Sequence, residues 1–201
     1  MDLRNPNMDD DMHRLHYALA LALLLFAMPA FADETLVPTA TVSETNSDCT
    51  TSNAHTRLGD ASDLTFCDGN TGSSAESYNL LVSFDTPAIA PDTGNVQQFT
   101  CRASKSDTTA GNGNPTFTMD LYCGGVLQDT GAAKTTTGAV ATFTQLFTVD
   151  GTCNSDGSTV ELQTTITRAG GAPAGRRSID MHQCWWDVTA TAATGRSRRS
   201  F

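Results

Sequence analysis

Apolar and polar side chains alternate along most of the chain after residue 32, a pattern that predicts β-strands. Between residues 78 and 84, one parity is occupied by Tyr78, Leu80, Val82 and Phe84. Because successive side chains of a strand point to opposite faces, these four would share one buried face. The same alternation recurs in the segments 99–103, 117–123, 143–149 and 160–166. No apolar repeat of 3.6 residues continues beyond two turns after residue 32, so we expect no helix between the strands.

Turn-forming sequences separate these segments, as at 110–115, 151–157 and 170–175. The pair Gly124-Gly125 predicts a tight hairpin that joins 117–123 to 126–129. We expect eight or nine strands in all, including a short one near 36–42. Since no helical crossovers separate them, the fold class predicted is all-β: an antiparallel two-sheet sandwich, jelly-roll-like.

The last predicted strand, 179–190, breaks its own alternation. Ile179 and Met181 lie on one parity, whereas Cys184, Trp186 and Val188 lie on the other. A β-bulge near residues 182 and 183 would restore a single inward face. This predicts Trp186 in the core and its neighbour in the sequence, residue 185, pointing outward.

The N-terminal segment predicts a removable export signal. An apolar run from Tyr17 to Phe26 precedes small residues at Ala30 and Ala32, which match a signal-peptidase site. We therefore assign residues 1–32 to a signal peptide, 33–191 to the β-sandwich domain and 192–201 to a flexible basic tail. An uncleaved anchor or a core helix is the alternative, although Pro29 disfavours a continuous helix. Acidic residues at 9–11 leave the start open between the first methionine and that at position 12.

All six cysteines follow the proposed cleavage site, which predicts disulfides formed in an oxidising compartment. No two cysteines lie closer than 18 positions, a spacing that disfavours a zinc site. Fifteen pairings are possible in principle. Two cysteines sit in strands with apolar neighbours, and two others bracket a polar loop. These placements favour the pairs Cys49–Cys67, Cys101–Cys184 and Cys123–Cys153.

The charge of the chain disfavours two classes of partner. Its formal net charge is −10, and the part after residue 32 keeps 18 acidic and 10 basic residues. A binder of nucleic acid or of an anionic membrane would favour a basic surface. We therefore expect no nucleic-acid partner and no membrane insertion of the mature chain.

The sequence offers no catalytic signature, so we expect a protein that is not an enzyme. Only His55 and His182 follow the leader, and no G-x-S-x-G motif accompanies them. Carboxylate pairs suited to glycoside hydrolysis can be drawn from several acidic residues, which we expect to be solvated on outer faces. These residues are Glu76, Glu161, Asp120 and Asp187.

Calcium is the one metal for which the loops hold ligands, and we expect no other cofactor. Two oxygen-rich loops, near residues 60–70 and 154–158, supply the candidate ligands. Neither loop matches the EF-hand pattern. The candidate ligands are Asp60, Asp63, Asp68 and Asp156. Each is equally explained as a turn residue that needs no ion.

Exposed aromatic side chains are the candidate ligand-binding residues. Trp185 and Tyr122 could provide flat surfaces on which a sugar ring stacks. Adjacent tryptophans on a strand face opposite ways, so only one of Trp185 and Trp186 can be exposed. A core tryptophan with a second one at a sheet edge or interface is the alternative.

Four segments together resemble secreted jelly-roll or β-sandwich domains of bacterial and phage surface proteins. They are Tyr78–Phe84, Phe99–Lys105, Leu121–Gly125 and Trp185–Val188, and the resemblance covers about residues 36–190. It implies a binding or structural module rather than an enzyme, and it transfers no site residue.

Two functions follow from these expectations. The first is a structural or adhesive protein that is secreted, periplasmic or on the cell surface, with itself or another surface protein as partner. The alternative is a carbohydrate- or ligand-binding module, assisted by calcium, with a glycan as partner. An aromatic beside acidic loops on a concave face would favour the alternative, and a long unpaired strand edge would favour assembly.

Overall fold

The alternating segments form the long strands of the computed structural model, which describes residues 34–45, 47–49, 53–62, 64, 66–69, 77–92, 96–106, 114–149, 153–154, 156–167 and 179–190. These residues belong to one compact unit, Ala32–Thr191. The predicted leader and basic tail lie outside the described residues. Within the described part, the elements are β1 (Glu34–Leu36), β2 (Pro38–Thr45), β3 (Ser47–Asp48), α1 (Ala54–Gly59), β4 (Cys67–Gly69), β5 (Ser77–Phe84), β6 (Val96–Lys105), β7 (Thr116–Cys123), β8 (Val126–Thr130), β9 (Lys134–Thr135), β10 (Ala141–Thr148), β11 (Val160–Thr167) and β12 (Ile179–Val188).

Two antiparallel sheets pack face to face, which confirms the predicted sandwich. Sheet I has the order β10-β6-β12-β4-β3, with β1 also paired to β12. Sheet II has the order β2-β5-β11-β7-β8, with β9 also paired to β7. From β5 onward the chain passes repeatedly between the sheets, as in a jelly roll. Eight of the described strands have five or more residues, and the other four have two or three.

Most of the core consists of side chains on the inward parities predicted from the sequence. The predicted faces of β5, β6, β7 and β11 are all buried. At the centre, the rings of Phe99 and Trp186 stack with centroids 5.5 Å apart, and Phe84 meets both edge-on at 5.9 Å. Such aromatic pairs add about 0.5–1.5 kcal/mol each beyond the area that they bury.

Strand β12 contains the predicted bulge. Its register against β6 shifts between Met181 and Gln183, so His182 is the extra residue. The shift brings Ile179, Met181, Cys184, Trp186 and Val188 to one buried face. Trp186 is fully buried and Trp185 points outward, as the interrupted parity predicts.

The hairpin between β7 and β8 turns at Gly124 and Gly125, which confirms the predicted pairing. Their φ angles are 57° and 79°, in the left-handed region that favours glycine. Two consecutive positive φ angles are what a tight type I′ hairpin requires.

Helix α1 corrects the expectation that no helix lies between the strands. Its six residues place Ala54 and Leu58 on one buried face, one turn apart. The backbone N–H of Ala54 donates to Glu44 Oε1 of β2 at 2.6 Å, so a strand side chain satisfies the first turn. A helix this short never repeats its apolar period, and the sequence pattern therefore cannot reveal it.

The cysteines pair as Cys49–Cys67, Cys101–Cys184 and Cys123–Cys153, the set that the strand placements favour. Cys101 and Cys184 are direct register partners on β6 and β12, so this bridge joins neighbouring strands. Among the residues that the structure describes, no helix has the length and apolar character needed to span a membrane.

Candidate functional site

The outward side chain of Trp185 lies on the solvent face of sheet I. Strand β12 alternates, so the burial of Trp186 in the core turns Trp185 away from it. Strand β6 flanks β12 on one side, and β1 pairs with it as well. Side chains from these strands, and from β10 on the far side of β6, lie around the indole ring.

An open pocket of about 410 Å³ surrounds this ring. Thr142, Arg102 and Gln183 are register partners across β10, β6 and β12, so they form a row beside the indole. The described residues that line the pocket are Thr35, Val37, Arg102, Thr142, Gln183 and Trp185. These residues combine one aromatic ring with a guanidinium, an amide, two hydroxyls and an aliphatic side chain, and none of them is a carboxylate.

Asp187 holds the indole from outside the pocket lining. Trp185 Nε1 donates to Asp187 Oδ2 at 3.1 Å, and Gln98 Nε2 donates to the same oxygen at 3.0 Å. Thr35 Oγ1 donates to the other oxygen, Oδ1, at 2.8 Å. Both oxygens of Asp187 are thus occupied by donors from β1, β6 and β12.

This chemistry suits a small polar molecule with one flat apolar face. An aromatic side chain provides a surface on which such a face stacks. The guanidinium of Arg102 and the amide of Gln183 carry several hydrogen-bond donors. Ligand sites commonly combine an apolar surface with a few such polar groups, and their volumes begin at about 300 Å³.

The structure does not bring the second predicted ligand-binding residue into this pocket. Tyr122 lies on β7, with its side chain turned away from the buried face formed by Phe117, Met119 and Leu121. It therefore occupies the outer face of sheet II, whereas Trp185 occupies that of sheet I. The two rings cannot contact one ligand molecule.

Two of the candidate carboxylates are buried, which corrects the expectation that they are solvated. Asp120 accepts from the N–H of Gly131 at 3.3 Å and from Thr118 Oγ1 at 3.2 Å. Burial raises the pKa of Asp120 above its usual value, against the lowering by these hydrogen bonds. Glu161 Oε2 accepts from the N–H of Gly125 at 2.8 Å and so supports the hairpin turn. Glu76 lies outside the described residues.

The buried pair Ser104 and His182 is a contact that the sequence analysis missed. Ser104 Oγ lies 2.9 Å from His182 Nε2, and the ring of Phe66 meets the imidazole edge-on at 5.7 Å. Both residues are less than 7% exposed, so a substrate cannot reach them in this conformation. His55 instead bonds to Thr41 Oγ1 through Nδ1, at 2.9 Å.

A carboxyl pair crosses strands β4 and β12 near this contact. Asp180 stands in register with Asp68 on one side and with Ser104 on the other. Burial raises the pKa of Asp180 to about 7, and the neighbouring Asp68 adds to the rise. The sequence pattern does not predict that Asp180 faces another carboxyl group, because its partner Asp68 lies 112 positions earlier in the chain.

The candidate calcium ligands remain predictions. Asp60 Oδ1 accepts from the N–H of Ser62, and Asp156 Oδ1 from that of Ser158, as in ordinary turns. Hydrogen bonds from the backbone and the side chain of Ser158 lower the pKa of Asp156 below its usual value. Asp63 lies outside the described residues. Across the described ranges, no group of three or more His, Cys, Asp or Glu side chains could hold a metal ion.

Comparison with known proteins finds similarity in structure alone. No protein-family model matches the sequence, and no curated protein does either. The arabinose-bound MgGH51 α-L-arabinofuranosidase shares 12% identity at a TM-score of 0.46, over 74% of this chain and 22% of that enzyme. The carbohydrate-binding module TmCBM61, in complex with β-1,4-galactotriose, shares 9% sequence identity at a TM-score of 0.38. The match covers 80% of this chain and 92% of that module. CBM35 from Cellvibrio japonicus Abf62 shares 18% sequence identity at a TM-score of 0.36. The match covers 80% of this chain and 95% of that one.

This chain thus corresponds to about a fifth of the arabinofuranosidase's length. All three TM-scores lie below 0.5, so they decide nothing about this chain's ligand.

Proposed function

We propose that this protein is an exported carbohydrate-binding module that holds its glycan against Trp185 on the outer face of sheet I. The observation that carries the proposal is the indole ring, which is anchored by Asp187 within an open pocket lined by Arg102 and Gln183. We propose a binding role without catalysis, and the leader and disulfides predict secretion to the periplasm, cell surface or medium.

Stacking and hydrogen bonding divide the recognition between two kinds of side chain. A sugar ring presents a face of C–H groups, which packs on the indole, and a rim of hydroxyls. The donors of Arg102 and Gln183 and the hydroxyl of Thr142 stand in a row beside the ring, where they reach such a rim. A pocket of about 410 Å³ has room for one or two sugar rings.

Replacement of the stacking ring tests the proposal. The wild-type protein and Trp185→Ala would be titrated by calorimetry against soluble xylan, galactan, arabinan, β-glucan and chitin oligosaccharides. We expect the wild type to bind at least one of them and Trp185→Ala to lose about tenfold or more in affinity, as for a buried aromatic anchor. Thermal unfolding should change little, because this ring lies outside the core.

Tyr122→Ala is the matched control, since it removes an aromatic ring from the outer face of the other sheet. Its affinity should equal that of the wild type. Loss of binding in Tyr122→Ala with retention in Trp185→Ala would move the site to sheet II and overturn the proposal. A wild-type protein that binds none of these glycans would also overturn it. Parallel titrations with calcium and with a chelator test the expected assistance by calcium.

One observation favours the structural or adhesive function as a second candidate. Among the described strands, β10 ends sheet I and has a partner, β6, on one side only. Leu146 on this edge strand is 52% exposed. Exposed apolar edge strands pair readily with another chain. Light scattering across a concentration series should show oligomers of the wild type and only monomers of Leu146→Lys. A wild-type protein that is monomeric at every concentration would exclude this candidate.

A further inference from the structure

Three hydrogen bonds converge on Asp187, a residue that does not line the ligand pocket. Two of its donors, Trp185 Nε1 and Gln98 Nε2, reach Oδ2 at 3.1 and 3.0 Å. The third, Thr35 Oγ1, reaches Oδ1 at 2.8 Å. Strands β1 and β6 each provide one hydrogen-bond donor to the carboxyl group of Asp187. Strand β12 carries both this carboxyl group and the indole of Trp185.

Residues 185 and 187 are two positions apart on β12, so their side chains project from the same face of the strand. A tryptophan on the outer face of a sheet can rotate about two side-chain torsions. A hydrogen bond from Nε1 to a neighbour that is itself held removes this freedom, because it sets the plane of the indole as well as its direction.

We propose that Asp187 is the positioning residue of the glycan site, holding the indole of Trp185 in the orientation that receives the sugar ring. This inference rests on the proposed function. Because the indole N–H is occupied by Asp187, the glycan contacts Trp185 through the face of the ring. Its hydroxyls bond instead to the row formed by Arg102, Gln183 and Thr142.

The expected effect of releasing the ring is a moderate loss of affinity. Without Asp187, the indole must be immobilised each time that a glycan binds. Ordering one side chain on binding weakens affinity by about two- to twelvefold. The contacts with the ligand themselves remain, so binding should weaken rather than disappear.

Asp187→Ala removes the acceptor, and Asp187→Asn keeps one oxygen of the same shape. Gln98→Met removes a single donor to Asp187 without touching the pocket lining, and so tests the network independently of the fold at position 187. Asp85→Asn, on an exposed residue that follows β5, is the control for a change of charge. Each variant would be titrated with the oligosaccharide that the wild type binds best.

Proton–nitrogen correlation spectra of the unliganded protein provide a readout that a purely structural role would not move. The chain has two tryptophans, so Trp185→Phe identifies the indole N–H signal of Trp185. We expect this signal to shift and to exchange faster with solvent in Asp187→Ala. Asp187→Asn should restore part of the shift and part of the affinity, and Asp85→Asn should change neither.

The possible outcomes separate this inference from the proposed function. Glycan binding that Asp187→Ala and Gln98→Met leave unchanged would overturn the positioning role alone. An indole signal that does not respond to Asp187→Ala would overturn it as well. Absence of glycan binding by the wild type would overturn the proposed function, and the positioning role with it.

Discussion

The half-buried carboxyl of Asp180 predicts that this protein becomes less stable as the pH rises. Burial raises the pKa of Asp180 to about 7, with a further contribution from Asp68, against an ordinary value of 3.8. Between these values the folded protein keeps a proton that the unfolded chain releases. Asp180 therefore contributes stability in full below pH 3.8, and this contribution is lost as the pH rises through 7.

The size of the effect follows from the shift. A change from 3.8 to about 7 corresponds to about 4 kcal/mol in the limit of a fully buried group, at 1.36 kcal/mol per unit. Asp180 retains some contact with solvent, which screens the charge, and we therefore expect about 2 kcal/mol. Asn at this position is neutral at every pH and has nearly the same shape.

Urea unfolding between pH 4 and pH 8 measures this contribution. The free energy of unfolding of the wild type should fall by about 2 kcal/mol more over this range than that of Asp180→Asn. Asp85→Asn should follow the wild type. Comparing the wild type with Asp180→Asn cancels the pH dependence contributed by other carboxyl groups with a raised pKa, such as Asp120. Parallel pH profiles for the wild type and Asp180→Asn would refute the reasoning.

Two further predictions concern the stability of the fold. At Gly157, φ is 75° and an added Cβ would lie 3.0 Å from both Pro87 and Trp186, whereas Gly125 has a φ of 79° in open space. Gly157→Ala should therefore destabilise the protein by about 3 kcal/mol and Gly125→Ala by about 1 kcal/mol in thermal unfolding, and equal losses would exclude the packing contribution. Joint replacement of Cys101 and Cys184 by Ala removes a cross-link between residues 83 positions apart and should lower the free energy of unfolding by up to about 4.5 kcal/mol. A loss below about 1 kcal/mol in urea would contradict this estimate.

Local rules of side-chain direction were sufficient to predict much of the fold. Alternation identifies β5, β6, β7, β10 and β11, and the broken parity of 179–190 locates the bulge at His182. Two adjacent glycines predict the β7–β8 turn, because only a residue without Cβ adopts positive φ freely. Helix α1 and the strands of two or three residues escaped prediction, because they are too short to repeat any period.

The same rules identify the face on which a side chain lies, but not what covers it. Asp120 and Glu161 have the outward parity that predicts solvation, and both are buried. The backbone N–H groups of Gly131 and Gly125, from the segments after β7, bond to them. Which loop covers a face depends on the path of the chain through space, and alternation carries no information about it.

From the sequence alone, Trp185 could be identified as the outward member of a tryptophan pair, because neighbours on a strand face opposite ways. Its surroundings came only from the tertiary structure. Thr35, Arg102, Thr142 and Asp187 are separated by up to 152 residues along the chain, and the order of strands in sheet I brings them to one ring. The physical reason is that parity is a local property of the backbone, whereas the pairing of distant strands is decided by how two whole sheets bury their faces together.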